Sequence, residues 1–132
     1  MRGIDTNILL RTIDLTDHRQ FAAVERLLDE AEREPLFVNH IVLSEFAWTL
    51  QRSFKLSRKD IALRLRHLVE APEFLIHQAD IVSQAIDAYE GGNAQFPDCL
   101  IGAANLASGC TTTLTFDVDA AAMDFCFSPV ST

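Results

Sequence analysis

No lysine or arginine follows Arg66, so the part of the chain beyond it carries nine acids and no fixed cation of its own. With a formal net charge of -8, this is not a protein that holds nucleic acid through a general positive field, because phosphate contacts need Lys and Arg. Cysteine is also scarce. Cys99, Cys110 and Cys126 make an odd count without metal-ligand spacing, which excludes a disulfide framework and a zinc site and leaves reduced core residues as the expectation. The histidines, His18, His40, His67 and His77, are scattered and show no ligand pattern. No apolar run approaches a membrane span, and the polar Asp5-Thr6-Asn7 cluster comes too early for a secretory leader to precede it, so a soluble cytoplasmic protein is expected.

What is present is a chain of 132 residues, 48% hydrophobic, enough to bury one core, and residues 1–132 read as a single domain without repeats or low-complexity segments. A short strand is expected to end at Asp5, with a helix starting around Thr6 and Asn7. Apolar residues at Phe21, Val24, Leu27, Leu28 and Ala31 recur at helical spacing across His18 to Arg33, before Pro35. Leu36 to Val38 reads as a strand, and Asn39 caps a helix carrying Glu45, Phe46 and Trp48. Ser57 caps the next, which stops at Ala71-Pro72. Phe74 to Ile76 is a further strand, Ala79 to Tyr89 a helix, and Gly91-Gly92-Asn93 a connection. Phe96-Pro97-Asp98 opens an apolar helix that Gly109 ends. Thr111 to Thr115 and Phe125 to Phe127 read as strands, with a helical turn from Ala120 to Met123 between them. This alternation predicts an α/β fold, a three-layer α/β/α sandwich around a mainly parallel sheet of four to five strands.

Parallel sheets place their sites at the carboxyl ends of strands. Asp5 and Asp117 stand at such ends, Asp98 at a helix start, and Glu45 on the helix after the second strand. Each also has a plain structural role open to it: Asp5 and Asp98 as helix caps, Glu45 and Asp117 as solvated charges. Four acids converging without a cation would repel one another unless a metal neutralised them. Carboxylate oxygens without His or Cys favour hard Mg²⁺ or Mn²⁺ over zinc.

Ile4-Asp5-Thr6-Asn7-Ile8-Leu9-Leu10, Ser44-Glu45-Phe46, Asp98-Cys99-Leu100-Ile101-Gly102-Ala103-Ala104 and Thr115-Phe116-Asp117 resemble, in order, the motifs of PIN-domain ribonucleases, nearest to the VapC-type toxins of type II toxin–antitoxin pairs. The resemblance covers nearly the whole chain. It implies an endoribonuclease dependent on Mg²⁺ or Mn²⁺, with Asp5 and Asp98 as direct metal ligands and Glu45 and Asp117 completing the catalytic set. It also implies an RNA substrate and a cognate antitoxin. Asp119 is a fifth candidate acid. Asn7 and Thr115 are candidates to orient the carboxylates by hydrogen bonding. Arg52, Lys55, Arg58 and Lys59 are candidate contacts to RNA or a partner, the alternative being a solvated helix face. Phe46 and Trp48 read as core or interface residues, and apolar surface between Phe46 and Leu68 as a homodimer face. The competing readings are a catalytically silent PIN-fold binding module and an aspartyl-phosphate phosphotransferase. The latter lacks a second Asp at position 7 and any Lys after Lys59.

Overall fold

The computed structural model describes residues 1–132. Asp5 ends an extended segment and caps α1 (Thr6–Leu10); Asp17 caps α2 (His18–Glu30) through the Arg19 and Gln20 N–H groups. β1 (Leu36–Val38) runs into Asn39, whose side chain accepts from Val42 N–H to start α3 (His40–Arg52). Ser57 likewise starts α4 (Arg58–Glu70), followed by β2 (Phe74–Ile76) and α5 (Ala79–Gly91). α6 (Phe96–Ala107), β3 (Thr113–Thr115), α7 (Val118–Ala122) and β4 (Phe127–Pro129) complete the chain.

All strand pairing is parallel, as expected, but the predicted sheet of four to five strands is not formed as one ladder. β1 pairs with β2, and β3 pairs separately with β4. The strand expected before Asp5 is reduced to a single parallel bridge between Gly3 and Phe37, held by Phe37 N–H to Arg2 O (2.8 Å) and Ile4 N–H to Phe37 O (3.1 Å). Each strand is three residues long, so each offers little ladder to a neighbour; helix packing dominates. The final strand starts at Phe127, not Phe125, and α7 starts at Val118, directly after Asp117.

Most of the core comes from helices. Phe46, Leu50, Ile61, Leu65, Val82, Ile86, Phe96 and Cys99 are all buried in one cluster. Burial pushes the Cys99 thiol up to about 12, which makes it inert, and Cys126 is buried too, but Cys110 is exposed on the turn after α6. Trp48, expected in the core or an interface, is half exposed, with the Arg52 guanidinium 5.1 Å above its ring. No helix is long and apolar enough to cross a membrane.

Gly102 sets how closely α6 approaches the last strand. A Cβ there would lie 2.6 Å from Cys126 Sγ and 2.8 Å from the Phe127 ring. Gly102→Ala gains about 1 kcal/mol in helix propensity but forces two packed side chains apart, a cost of roughly 1–3 kcal/mol. Net destabilisation is expected, read as a lower urea midpoint at unchanged slope.

Candidate functional site

Asp5 owes its position to the bridge with Phe37. Its backbone is extended, and its Oδ1 accepts the Ile8 N–H at 3.0 Å, so it is a helix cap as well as a candidate ligand. The equivalent turn after β1 starts α3, whose exposed face carries Glu45. α1 packs on α3. Asp5 and Glu45 thus line one cleft of about 380 Å³, with Thr6, Asn7 and Thr49 on its walls and Leu10 and Val42 among its apolar contacts.

Asp98 stands in the first turn of α6 behind Pro97, where the helix dipole favours an anion. The cap role open to it is not taken: Gln95 is the N-cap and makes no side-chain bond. The Asp98 carboxyl is partly buried and titrates above the usual carboxylate range, first because burial disfavours its charge and second because the Asp117 carboxylate is near. Asp117 follows β3 and caps α7, its Oδ1 accepting from Asp119 N–H (2.9 Å) and Ala120 N–H (3.2 Å). Thr115, a candidate to orient a carboxylate, accepts the Asp117 backbone N–H with its Oγ1 at 2.9 Å.

The structure therefore brings the four acids together as two pairs, Asp5 with Glu45 and Asp98 with Asp117. α3 packs against α6, placing the helices of Glu45 and Asp98 side by side. No group of three or more His, Cys, Asp or Glu closes around a single metal position. Asp119 belongs elsewhere, in a cleft with Asp87 and Asp124 beyond the end of α5.

Donor chemistry fits a hard divalent ion. Mg²⁺ keeps much of its water and takes only one or two protein carboxylates, so a pair is a sufficient protein contribution. The acids also keep oxygens to offer: Asp5 and Asp117 each engage only Oδ1 in capping, and none of the four is in an ion pair.

The cations divide sharply. Arg58, expected as an RNA or partner contact, is committed within the fold: its guanidinium donates to the carbonyls of Tyr89 (2.8 Å), Ala94 (2.7 Å) and Asn93 (3.0 Å). Arg66 pairs with Asp87 and Glu90. Arg52, Lys55 and Lys59 are exposed and in no ion pair; Arg52 lies on the face of α3 that carries Glu45. Lys55 turns the chain between α3 and α4 in a left-handed conformation, φ 58°.

One residue escaped the sequence reading. Arg11 shares a cleft of about 340 Å³ with Asp5 and Asn7, its Nε donating to Gln20 Oε1 at 2.6 Å and its Nη1 to Asp14 at 3.1 Å. Its only signal was helical spacing from Asn7. Asn7 itself borders both Asp5 clefts and makes no side-chain hydrogen bond.

A PIN-domain family model matches residues 4–125, from the residue before Asp5 to beyond Asp117. A search of curated proteins gives no match.

Proposed function

The chain belongs to the PIN-domain family, whose members are commonly nucleases, and from that premise we propose that it is a Mg²⁺- or Mn²⁺-dependent endoribonuclease, the toxin of a toxin–antitoxin pair. The observation that carries the reading is the Asp98–Asp117 pair. A partly buried carboxyl held beside another acid, with no ion-pair partner, is a standing electrostatic cost, and such costs concentrate where a site needs charge.

Asp98 and Asp117, with Asp5 and Glu45, would hold the ion. A bound divalent ion supplies Lewis acidity toward water and offsets negative charge developing on the phosphodiester. The capping bonds of Asp5 and Asp117 fix those two carboxylates before any ligand arrives, so little ordering remains at binding. One of the four carboxylates would accept the proton of the attacking water. Arg52, with Lys55 and Lys59 beyond it, provides the positive charge that the acidic half lacks. A cognate antitoxin would block the site by placing a cation among the carboxylates. Exposed Ile41, Trp48, Phe54 and Leu63 on α3, α4 and their connection provide apolar surface for a homodimer.

Purified protein incubated with structured and single-stranded RNA is expected to cleave in Mg²⁺ or Mn²⁺, to stop in EDTA, and to resume when the ion is restored. Asp5→Asn should lower the rate on the order of 100-fold. Cleavage indifferent to EDTA overturns the metal mechanism; absence of cleavage with every ion and RNA overturns the enzyme and leaves a silent binding module. The toxin role has its own readout: growth arrest on expression, relieved by co-expressing the protein encoded beside it.

A further inference from the structure

Phe116 is 71% exposed and Val118 80% exposed, although both flank Asp117. Core packing does not account for either. Both residues line a cleft of about 610 Å³ that Asp117 borders, together with Pro129 and Val130 and the hydroxyl-bearing residues Thr115 and Ser131. Asp117 is the only charged side chain lining it. The cleft therefore repels a phosphate and suits a flat, uncharged group attached to one.

The hydroxyl of Thr115 sharpens this. Its oxygen accepts the Asp117 N–H, and its proton is engaged by no protein acceptor, so it is free to donate. A nucleobase matches both features: its π face covers an aromatic ring, and its edge offers carbonyl or ring-nitrogen acceptors. A fully apolar protein side chain would fill the cleft and leave the hydroxyl unused.

We propose that the Phe116 cleft is a nucleobase subsite, taking one unstacked base of single-stranded RNA next to the phosphodiester held at Asp98 and Asp117. Phe116 supplies the stacking face and Thr115 the donor to the base edge. The assignment rests on the ribonuclease reading above. The base it takes is unpaired, since a base within a duplex cannot leave its stack without cost.

The test measures binding rather than cleavage. A short single-stranded oligonucleotide with 2′-O-methyl groups, which resists cleavage, is titrated by fluorescence anisotropy with wild type, Phe116→Ala and Phe116→Tyr in the presence of Mg²⁺. A second oligonucleotide series carries one abasic position moved along the strand. Phe116→Ala is expected to weaken binding about 10-fold, with Phe116→Tyr close to wild type. One abasic position should weaken wild type by a similar factor and cost Phe116→Ala nothing further. Equal affinity of wild type and Phe116→Ala, or losses that multiply at every abasic position, overturns the subsite while leaving the nuclease reading intact; the cleft would then belong to a protein partner. Failure of wild type to bind any RNA overturns both. Phe116 is exposed, so the variants are expected to melt with wild type.

Discussion

Asp98→Asn is expected to abolish RNA cleavage and, in metal-free buffer at neutral pH, to melt above wild type. The two effects have one cause. Burial and the charge of Asp117 raise the folded-state titration of Asp98 above that of the unfolded chain. Between those two values the folded protein binds the extra proton, so stability falls as pH rises through that window and stays reduced above it. At neutral pH the ionised Asp98 is therefore a net cost to the fold, and a neutral amide of the same shape relieves it. The gain should vanish toward acid pH, below the ordinary carboxylate range, where wild-type Asp98 is protonated in both states. If Asp98 holds the proposed ion, added Mg²⁺ or Mn²⁺ should raise the melting temperature of wild type but shift Asp98→Asn far less. Differential scanning fluorimetry across pH, with and without the ion, reads all of this. A metal-free Asp98→Asn protein that melts below wild type would mean that the carboxylate serves as a structural acceptor, and the charge-cost argument would fail.

Local signals in the chain were legible where one residue does one short-range job. Asn39 and Ser57 accept the bonds expected of caps, α4 ends at Glu70 before the Ala71-Pro72 stop, and β1 and β2 fall where their apolar runs lie. PIN-domain membership was legible too, because its motifs are short and ordered along the chain. The sheet was less so. A run such as Arg2 to Asp5 shows that the chain is extended, but not how many ladder bonds its neighbour will offer, and only the Gly3–Phe37 bridge formed. The candidate site was half legible: strand ends and a helix start marked Asp5, Asp117 and Asp98, yet their division into two pairs depends on α1 packing on α3 and on how the chain returns from α6 through β3 to Asp117, which no local pattern encodes. Exposure was the least readable property. Phe116 and Trp48 look like any other aromatic residue in sequence, and only the folded surface shows them unburied.

Arg58→Ala is expected to destabilise the protein by about 3–4 kcal/mol, a large part of the 5–15 kcal/mol that a domain typically has. The sequence placed Arg58 in a basic run and made it a candidate RNA contact; its partners lie 31 to 36 residues further on, out of reach of any local reading. Those partners are carbonyls at and beyond the end of α5, where the helix dipole favours a cation; the Tyr89 carbonyl also accepts the Gly92 N–H, at 3.5 Å. Tyr89 and Ala94 are buried, so their carbonyls find little water when the guanidinium is removed. The guanidinium also lies 4.3 Å from the centre of the Tyr89 ring, an interaction of about 1 kcal/mol. Arg58→Lys should recover only part of the loss, since one ammonium cannot reproduce three bonds from a planar fork. An RNA contact would behave otherwise: its removal would lower RNA affinity and the salt dependence of binding while leaving the melting temperature alone. The segment that Arg58 clamps, Asn93 to Ala94, leads directly into α6 and Asp98. Arg58→Ala should therefore lose cleavage as its folded fraction falls and regain much of it on cooling, whereas Asp98→Asn, better folded than wild type, should stay inactive at every temperature. Measuring both variants by activity and circular dichroism over the same temperature range separates the clamp from the proposed catalytic carboxylate; an Arg58→Ala protein that stays folded yet inactive would return Arg58 to the substrate path.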